Sequence, residues 1–129
     1  MACNPKLRIL LVDDSSTMRR LIRKILRQLG FVNIVEADDG TTAWEVLQKE
    51  EIEFIVSDWN MPKMKGIDLL RQVRASEKYS EIPFLMVTGE AQEKNVLEAV
   101  EARVSNYIVK PFNEYTLQKK IDKIFRTEE

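Results

Sequence analysis

The chain has 129 residues, 44% hydrophobic and 32% charged, with a formal net charge of −1, the balance of one ordinary globular domain with a buried core. Nothing in it provides a basic field for nucleic acid, a polybasic membrane patch, the roughly 18 apolar residues of a membrane span or the apolar stretch of a signal peptide, so a cytoplasmic protein with no nucleic-acid or membrane partner is expected. Histidine is absent and Cys3 is the single cysteine, which removes Ser-His and Cys-His catalysis, the usual zinc ligands and any internal disulfide.

Residues 8–14 (RILLVDD) run apolar and stop on two acids, Asp13 and Asp14, as a strand buried on both faces does when it reaches a crevice. Asp14-Ser15-Ser16 supplies N-cap chemistry for a helix striped by Met18, Leu21, Ile22, Ile25, Leu26 and Leu29, which Gly30 closes. Residues 33–37 (NIVEA) predict a short, more polar strand, followed by a turn at Asp38-Asp39-Gly40. Thr41 or Thr42 then opens a second helix with Ala43, Val46 and Leu47 facing inward. Residues 53–58 (EFIVSD) repeat the apolar-then-acid pattern and end on Asp58. Pro62 disfavours helix at Met61, so Asn60-Met61-Pro62 predicts a loop before a third helix carrying Ile67, Leu70 and Val73.

Residues 83–89 (PFLMVTG) end on Thr88-Gly89, and a fourth helix near 93–102 has Val96, Leu97 and Val100 as its apolar stripe. Residues 106–112 (NYIVKPF) end on Lys110-Pro111, where a cis bond would aim the lysine inward. A final helix over 114–125 is striped by Leu117, Ile121, Ile124 and Phe125. Five strands alternating with five helices require a parallel sheet covered on both faces. The apolar stretches at 10–12, 54–57 and 84–87 suit central strands, and NIVEA suits an edge. The prediction is a flavodoxin-like (βα)5 doubly wound α/β domain of strand order 2-1-3-4-5, spanning residues 1–129 with no output domain. Asp13, Asp14 and Asp58 then meet at the switch point between strands one and three.

Each acid alone would pass for a helix cap or a polar strand end. Together they need a counter-charge, because two unit charges about 4 Å apart repel by roughly 4 kcal/mol at an effective dielectric of 20. Hard oxygen ligands select Mg²⁺, Mn²⁺ or Ca²⁺ over zinc. Three carboxylates, one divalent cation and the Lys110 ammonium sum to neutrality. Such a site is completed by phosphate oxygens, and one carboxylate can attack phosphorus to give an aspartyl phosphate. With neither G-x-x-x-x-G-K-[ST] nor G-x-G-x-x-G in the chain, the phosphoryl group must arrive activated. Asp58, the lone acid on its strand, is the candidate nucleophile, and Asp13 and Asp14 are better placed as ligands. Thr88 offers a hydroxyl to the phosphoryl oxygens, and Gly89 leaves room for them.

The set Asp13-Asp14, Asp58, Thr88 and Lys110-Pro111-Phe112 resembles the receiver domain of two-component response regulators over essentially the whole chain. The strings LVDDSSTMRR, SDWNMP, LMVTGE and YIVKPF are similar to its chemotaxis branch. The resemblance implies phosphotransfer from a phosphohistidine on a CheA-like sensor histidine kinase to Asp58. It implies Mg²⁺, or Mn²⁺ in its place, held by Asp14, Asp58 and the Asn60 backbone carbonyl, with Asp13 acting through water. Thr88 and Tyr107 would shift together, and Asn60 and Glu90 would tune hydrolysis of the acyl phosphate. Ala91, Tyr107, Val109, Lys120 and Lys123, on the face of helix four, strand five and helix five, would meet the flagellar switch protein FliM or another phospho-dependent partner.

The resemblance further implies a monomer that catalyses only its own phosphorylation and dephosphorylation. Four positions depart from the family pattern: Lys65 where Asp or Asn is usual, Arg103-Val104 for Gly-Ala, and Asn106 for Gly. An arginine in a left-handed conformation is strained, which predicts a reshaped turn at 103. The rival readings are a phosphorelay intermediate serving a histidine phosphotransfer protein and a haloacid-dehalogenase-like phosphatase. The phosphatase is disfavoured by the missing D-x-D and cap domain.

Overall fold

Strands without polar alternation must be covered on both faces, and three such strands, the central ones, organise this chain. The computed structural model describes residues 5–89 and 93–125. In chain order the elements are β1 Arg8–Val12, α1 Ser16–Gln28, β2 Asn33–Ala37, α2 Gly40–Lys49, β3 Phe54–Asp58, α3 Gly66–Ala75, β4 Phe84–Thr88, α4 Glu93–Glu101, β5 Asn106–Val109 and α5 Glu114–Phe125. The sheet is parallel, in the predicted order β2-β1-β3-β4-β5. No helix among the described residues is long and apolar enough to cross a membrane.

Alternation along each strand divides the interior into two layers. Leu10, Val12, Ile55 and Met86 pack with Ala43, Leu47, Ile67, Leu70, Val73 and Ala99 from α2, α3 and α4. Ile9, Leu11, Val56, Leu85 and Ile108 pack with Ile22, Ile25, Leu26, Leu117 and Ile121 from α1 and α5. Register aligns the strand ends: Val12 lies beside Ser57, Asp58 beside Val87, and Thr88 beside Val109. The residues that leave β1, β3, β4 and β5 therefore share one rim.

Local chemistry sets the helix starts. Ser15 caps α1, its side chain accepting from the Met18 N–H. Asp39, not Thr41 or Thr42, caps α2: its carboxylate accepts from the N–H groups of both threonines, and the Thr42 hydroxyl accepts from the Asp39 N–H. This reciprocal box moves the helix start to Gly40, inside the predicted turn. A Cβ at Gly40 would collide with the Met64 side chain, so this start requires glycine. Lys65 occupies the α3 N-cap without a side-chain cap bond.

Two apolar assignments change. Leu21 is 47% exposed at the flank of α1. In α4 the buried contact is the small Ala99, which turns Leu97 and Val100 outward at 59% and 58% exposure. The turn after α4 is not reshaped. Arg103 adopts φ 65, and the Arg103 and Val104 N–H groups donate to the Val100 and Ala99 carbonyls, each at 3.0 Å. The same pair of bonds closes α1 around Gly30, which has φ 106. A left-handed non-glycine residue costs about 1–2 kcal/mol. Arg103 offsets that cost by exchanging bonds with Arg74: its carbonyl accepts from Arg74 Nε at 2.9 Å, and its guanidinium donates to the Arg74 carbonyl at 3.1 Å. Asn106 opens β5 with its side chain accepting from the Tyr107 N–H at 2.8 Å.

Candidate functional site

At the rim, Asp13 follows the last residue of β1, and its N–H donates to the Ala37 carbonyl of β2 at 3.1 Å. Its Oδ1 accepts from the Ser15 N–H at 2.9 Å, in the turn that leads into α1. Its Oδ2 is buried with no hydrogen-bond partner. Asp58 ends β3 in a buried position. The Trp59 N–H beyond it is fixed to the Val87 carbonyl, and the Trp59 carbonyl accepts from Gly66 at the start of α3. A Cβ at Gly66 would collide with the Asp58 carbonyl oxygen, so glycine there allows α3 to begin against the strand end.

Lys110 enters from the opposite side. Its N–H donates to the Thr88 carbonyl at 2.8 Å, and its bond to Pro111 is cis, as the sequence allowed. Its ammonium lies 3.1 Å from Asp58 Oδ1 and 3.8 Å from Asp13 Oδ2. Asp13, Asp14 and Asp58 each offer a carboxylate oxygen within 4.8 Å of the others, with Asp14 on the exposed side. Burial raises Asp58 above the ordinary carboxylate range, Lys110 opposes it, and Asp14 adds a smaller upward push. Burial likewise raises Asp13, against the Ser15 N–H and Lys110, with Asp58 and Asp14 adding repulsion. One lysine does not satisfy three acids. The arrangement favours a hard cation over a proton whenever such a cation is present.

The other predicted residues fall around this centre. Asn60 is exposed just beyond Trp59, and Thr88 is buried at the end of β4. Tyr107 is half-buried, with the Lys120 ammonium 5.0 Å from its ring centroid. Trp59, Thr88, Ala99 and Tyr107 border a void of about 10 Å³. Val109 and Lys120 are half-buried, and Lys123 is exposed. Cys3, Glu90 and Ala91 lie outside the described residues.

Two residues of the site escaped the sequence reading. Arg19 Nη1 donates to the Asp13 carbonyl at 2.6 Å, and its Nε donates to Glu36 Oε1 at 3.0 Å. Glu36 also accepts from Arg23 at 2.7 Å. The available signal was an acid in the middle of NIVEA facing two arginines one helical turn apart.

Residues 9–122 match the family described as Response regulator receiver domain. The chain is 53% identical over 122 residues to the chemotaxis protein CheY-3 of Vibrio cholerae, covering 95% of this chain and 94% of that protein. It is 56% identical over 119 residues to the chemotaxis protein CheY of Pseudomonas aeruginosa, covering 92% and 96%. Among solved structures, the chemotaxis response regulator CheY4 of Vibrio cholerae superposes with a TM-score of 0.85 at 33% identity, over 92% of this chain and 98% of that one. The receiver domain of the sensor histidine kinase PA1611 from Pseudomonas aeruginosa, solved with a magnesium ion coordinated in its active site cleft, superposes with a TM-score of 0.82 at 27% identity. That match covers 93% of this chain and 97% of the other.

Proposed function

The chain belongs to the response regulator receiver family and is homologous to the CheY proteins of chemotaxis, and from that premise we propose that Asp58 accepts a phosphoryl group from a phosphohistidine of a CheA-like sensor kinase in a Mg²⁺-dependent reaction. The observation that carries this reading is Asp13 Oδ2, a buried carboxylate oxygen without a hydrogen-bond partner in a set of three acids. Native interiors rarely leave such an atom unsatisfied, and a set of hard oxygens suits Mg²⁺ or Mn²⁺. Asp13, Asp14, Asp58 and the Asn60 carbonyl would hold the ion, which supplies charge neutralisation and Lewis-acid polarisation of the phosphoryl oxygens.

A carboxylate oxygen of Asp58 attacks phosphorus in line. The bond from phosphorus to the imidazole nitrogen breaks, its electron pair leaves with the ring, and an acyl phosphate remains on Asp58. Lys110 already faces Asp58 Oδ1, so its ammonium follows the negative charge outward onto the new phosphoryl oxygens. The Thr88 hydroxyl, at the adjacent strand end, donates to the same oxygens.

That movement has a consequence at Tyr107. The void between Trp59, Thr88 and Tyr107, at about 10 Å³, has room for about one water and not for a phenol ring. Tyr107 therefore turns inward only after Thr88 or α4 gives way, which links the phosphoryl group to the α4-β5-α5 face. That face presents exposed Leu97, Val100 and Tyr115 beside Tyr107, Val109, Lys120 and Lys123. On this reading FliM, or another partner that binds the phosphorylated form, docks there. Asn60, at the mouth, and Glu90 would tune access of the hydrolytic water.

Acetyl phosphate with Mg²⁺ should add one phosphoryl group to the intact chain by mass spectrometry, and Asp58→Asn should prevent it. A labelled Asp58→Asn protein would assign the nucleophile elsewhere.

A further inference from the structure

Arg103, the left-handed arginine at the end of α4, sits on the opposite end of the sheet from the three acids. It stands beside Arg74 at the end of α3, about 15 Å away along the strands. Arg74 bridges three segments: Nε donates to the Arg103 carbonyl, Nη1 to the Ser80 and Ile82 carbonyls, and Nη2 contacts the Ser105 hydroxyl at 3.4 Å. Every one of these acceptors is neutral. Neither guanidinium has a carboxylate within ion-pair distance among the described residues. The guanidinium of Arg74 is held below its ordinary value by burial first and by Arg103 second, with Glu81 opposing weakly. Two like charges are thus pressed together, with Glu81 near them but outside ion-pair distance.

Beside them opens a cleft of about 360 Å³, bordered by Arg74, Arg103, Lys123, Ser80, Ser105 and Glu81. Three cations against one acid give it a net positive lining. Arg74 commits four of its five N–H groups to its neutral acceptors and contributes mainly its charge, so the remaining N–H groups of Arg103 and the Lys123 ammonium are the donors that can meet the spaced oxygens of a phosphate group. A left-handed non-glycine backbone is retained where something offsets its strain. Exchange of bonds with Arg74 accounts for the backbone, and it leaves the surplus positive charge unexplained.

We propose that this cleft is a second, metal-independent site that binds a small anion of the phosphate class, with Arg103 and Lys123 as its outer contacts and Arg74 as its floor. It does not rest on the phosphoryl reading of Asp58, since the acids at the other rim repel a free anion when no divalent cation is present.

The test is titration of the full chain with inorganic pyrophosphate in Mg²⁺-free buffer, followed by calorimetry and by backbone amide shifts. Saturable binding is expected, with the shifts concentrated at Arg74, Arg103 and Ser105. Arg103→Gly suits the left-handed backbone and keeps the turn, so it should fold with unchanged or higher thermal stability and bind about tenfold more weakly or worse. Arg103→Lys should recover part of the loss, and Lys123→Gln should weaken binding as well. Absence of saturable binding, shifts centred on Asp13 and Asp58, or undiminished affinity in a folded Arg103→Gly protein would overturn the proposal.

Discussion

Burial, ahead of any neighbouring charge, raises Asp13 and Asp58, and that ordering determines how stability responds to pH. A carboxyl whose folded-state pKa exceeds its unfolded value binds more protons when folded. Metal-free stability therefore falls as pH rises from the ordinary value of 3.8 through the raised values, and stays at the lower level at neutral pH. On the proposed reading Mg²⁺ binds the charged form, and it should then cancel the loss. Urea midpoints measured from acid to neutral pH, with and without Mg²⁺, should diverge as the pH rises. Asp13→Asn removes one buried charge and should stabilise the metal-free protein at neutral pH by about 1 kcal/mol, a few degrees of Tm, while losing most of the Mg²⁺ response. Equal sensitivity to Mg²⁺ in the variant would show that Asp13 takes no part. At this scale the sequence was most legible: acids at strand ends, Thr88 and Lys110 all lie where the apolar runs stop. Arg19 was hidden because its partner is a main-chain carbonyl, and no side-chain pattern announces a bond to the backbone.

Among the elements, α1 does more than cover the sheet. Arg19 ties the Asp13 carbonyl to Glu36 on β2, and Arg23 holds the other oxygen of Glu36. The first strand end is thereby fixed from outside the acid cluster, the kind of support that orients ligands in metal sites. Arg19→Ala should weaken Mg²⁺ binding about three- to tenfold, near 1 kcal/mol, with the fold retained by circular dichroism. Arg19→Lys should restore part of it. Unchanged Mg²⁺ affinity in Arg19→Ala would make the network structural only. The strands were readable because double-sided burial forces continuous apolar runs, and α1 and α5 because their stripes are wide. Helix α4 was misread in part because, among its described side chains, the buried one is Ala99, so Leu97 and Val100 point outward while Val96 stays half-buried. Asp39 was read as turn because Asp-Asp-Gly is turn chemistry, and only the two following threonines disclose a capping box. The turn at Arg103 kept its left-handed form through a pairing with Arg74, far away in sequence and invisible to local propensity.

Over the whole molecule, strand order β2-β1-β3-β4-β5 does the assembling. Right-handed crossovers on a doubly wound sheet place β1 beside β3 and divide the helices between its faces, so residues 13, 58, 88 and 110 converge although long stretches of chain separate them. One end of the sheet gathers acids and the other gathers Arg74, Arg103 and Lys123. A net charge near zero thus conceals a local basic corner, while Glu50, Glu51 and Glu53 keep the rest of that end mixed. The topology was predictable from the alternation of runs and stripes, whereas this corner was not, because it depends on which loops end up adjacent.

Trp59 is buried at 8% exposure directly after Asp58, so its indole emission reports on the acid cluster. Titration of the chain with Mg²⁺ at neutral pH should change that emission along a single saturating curve, and Asp13→Asn should shift the curve to much higher Mg²⁺. A flat response in the wild-type chain, or a curve that Asp13→Asn leaves in place, would contradict a metal centre built from these three acids.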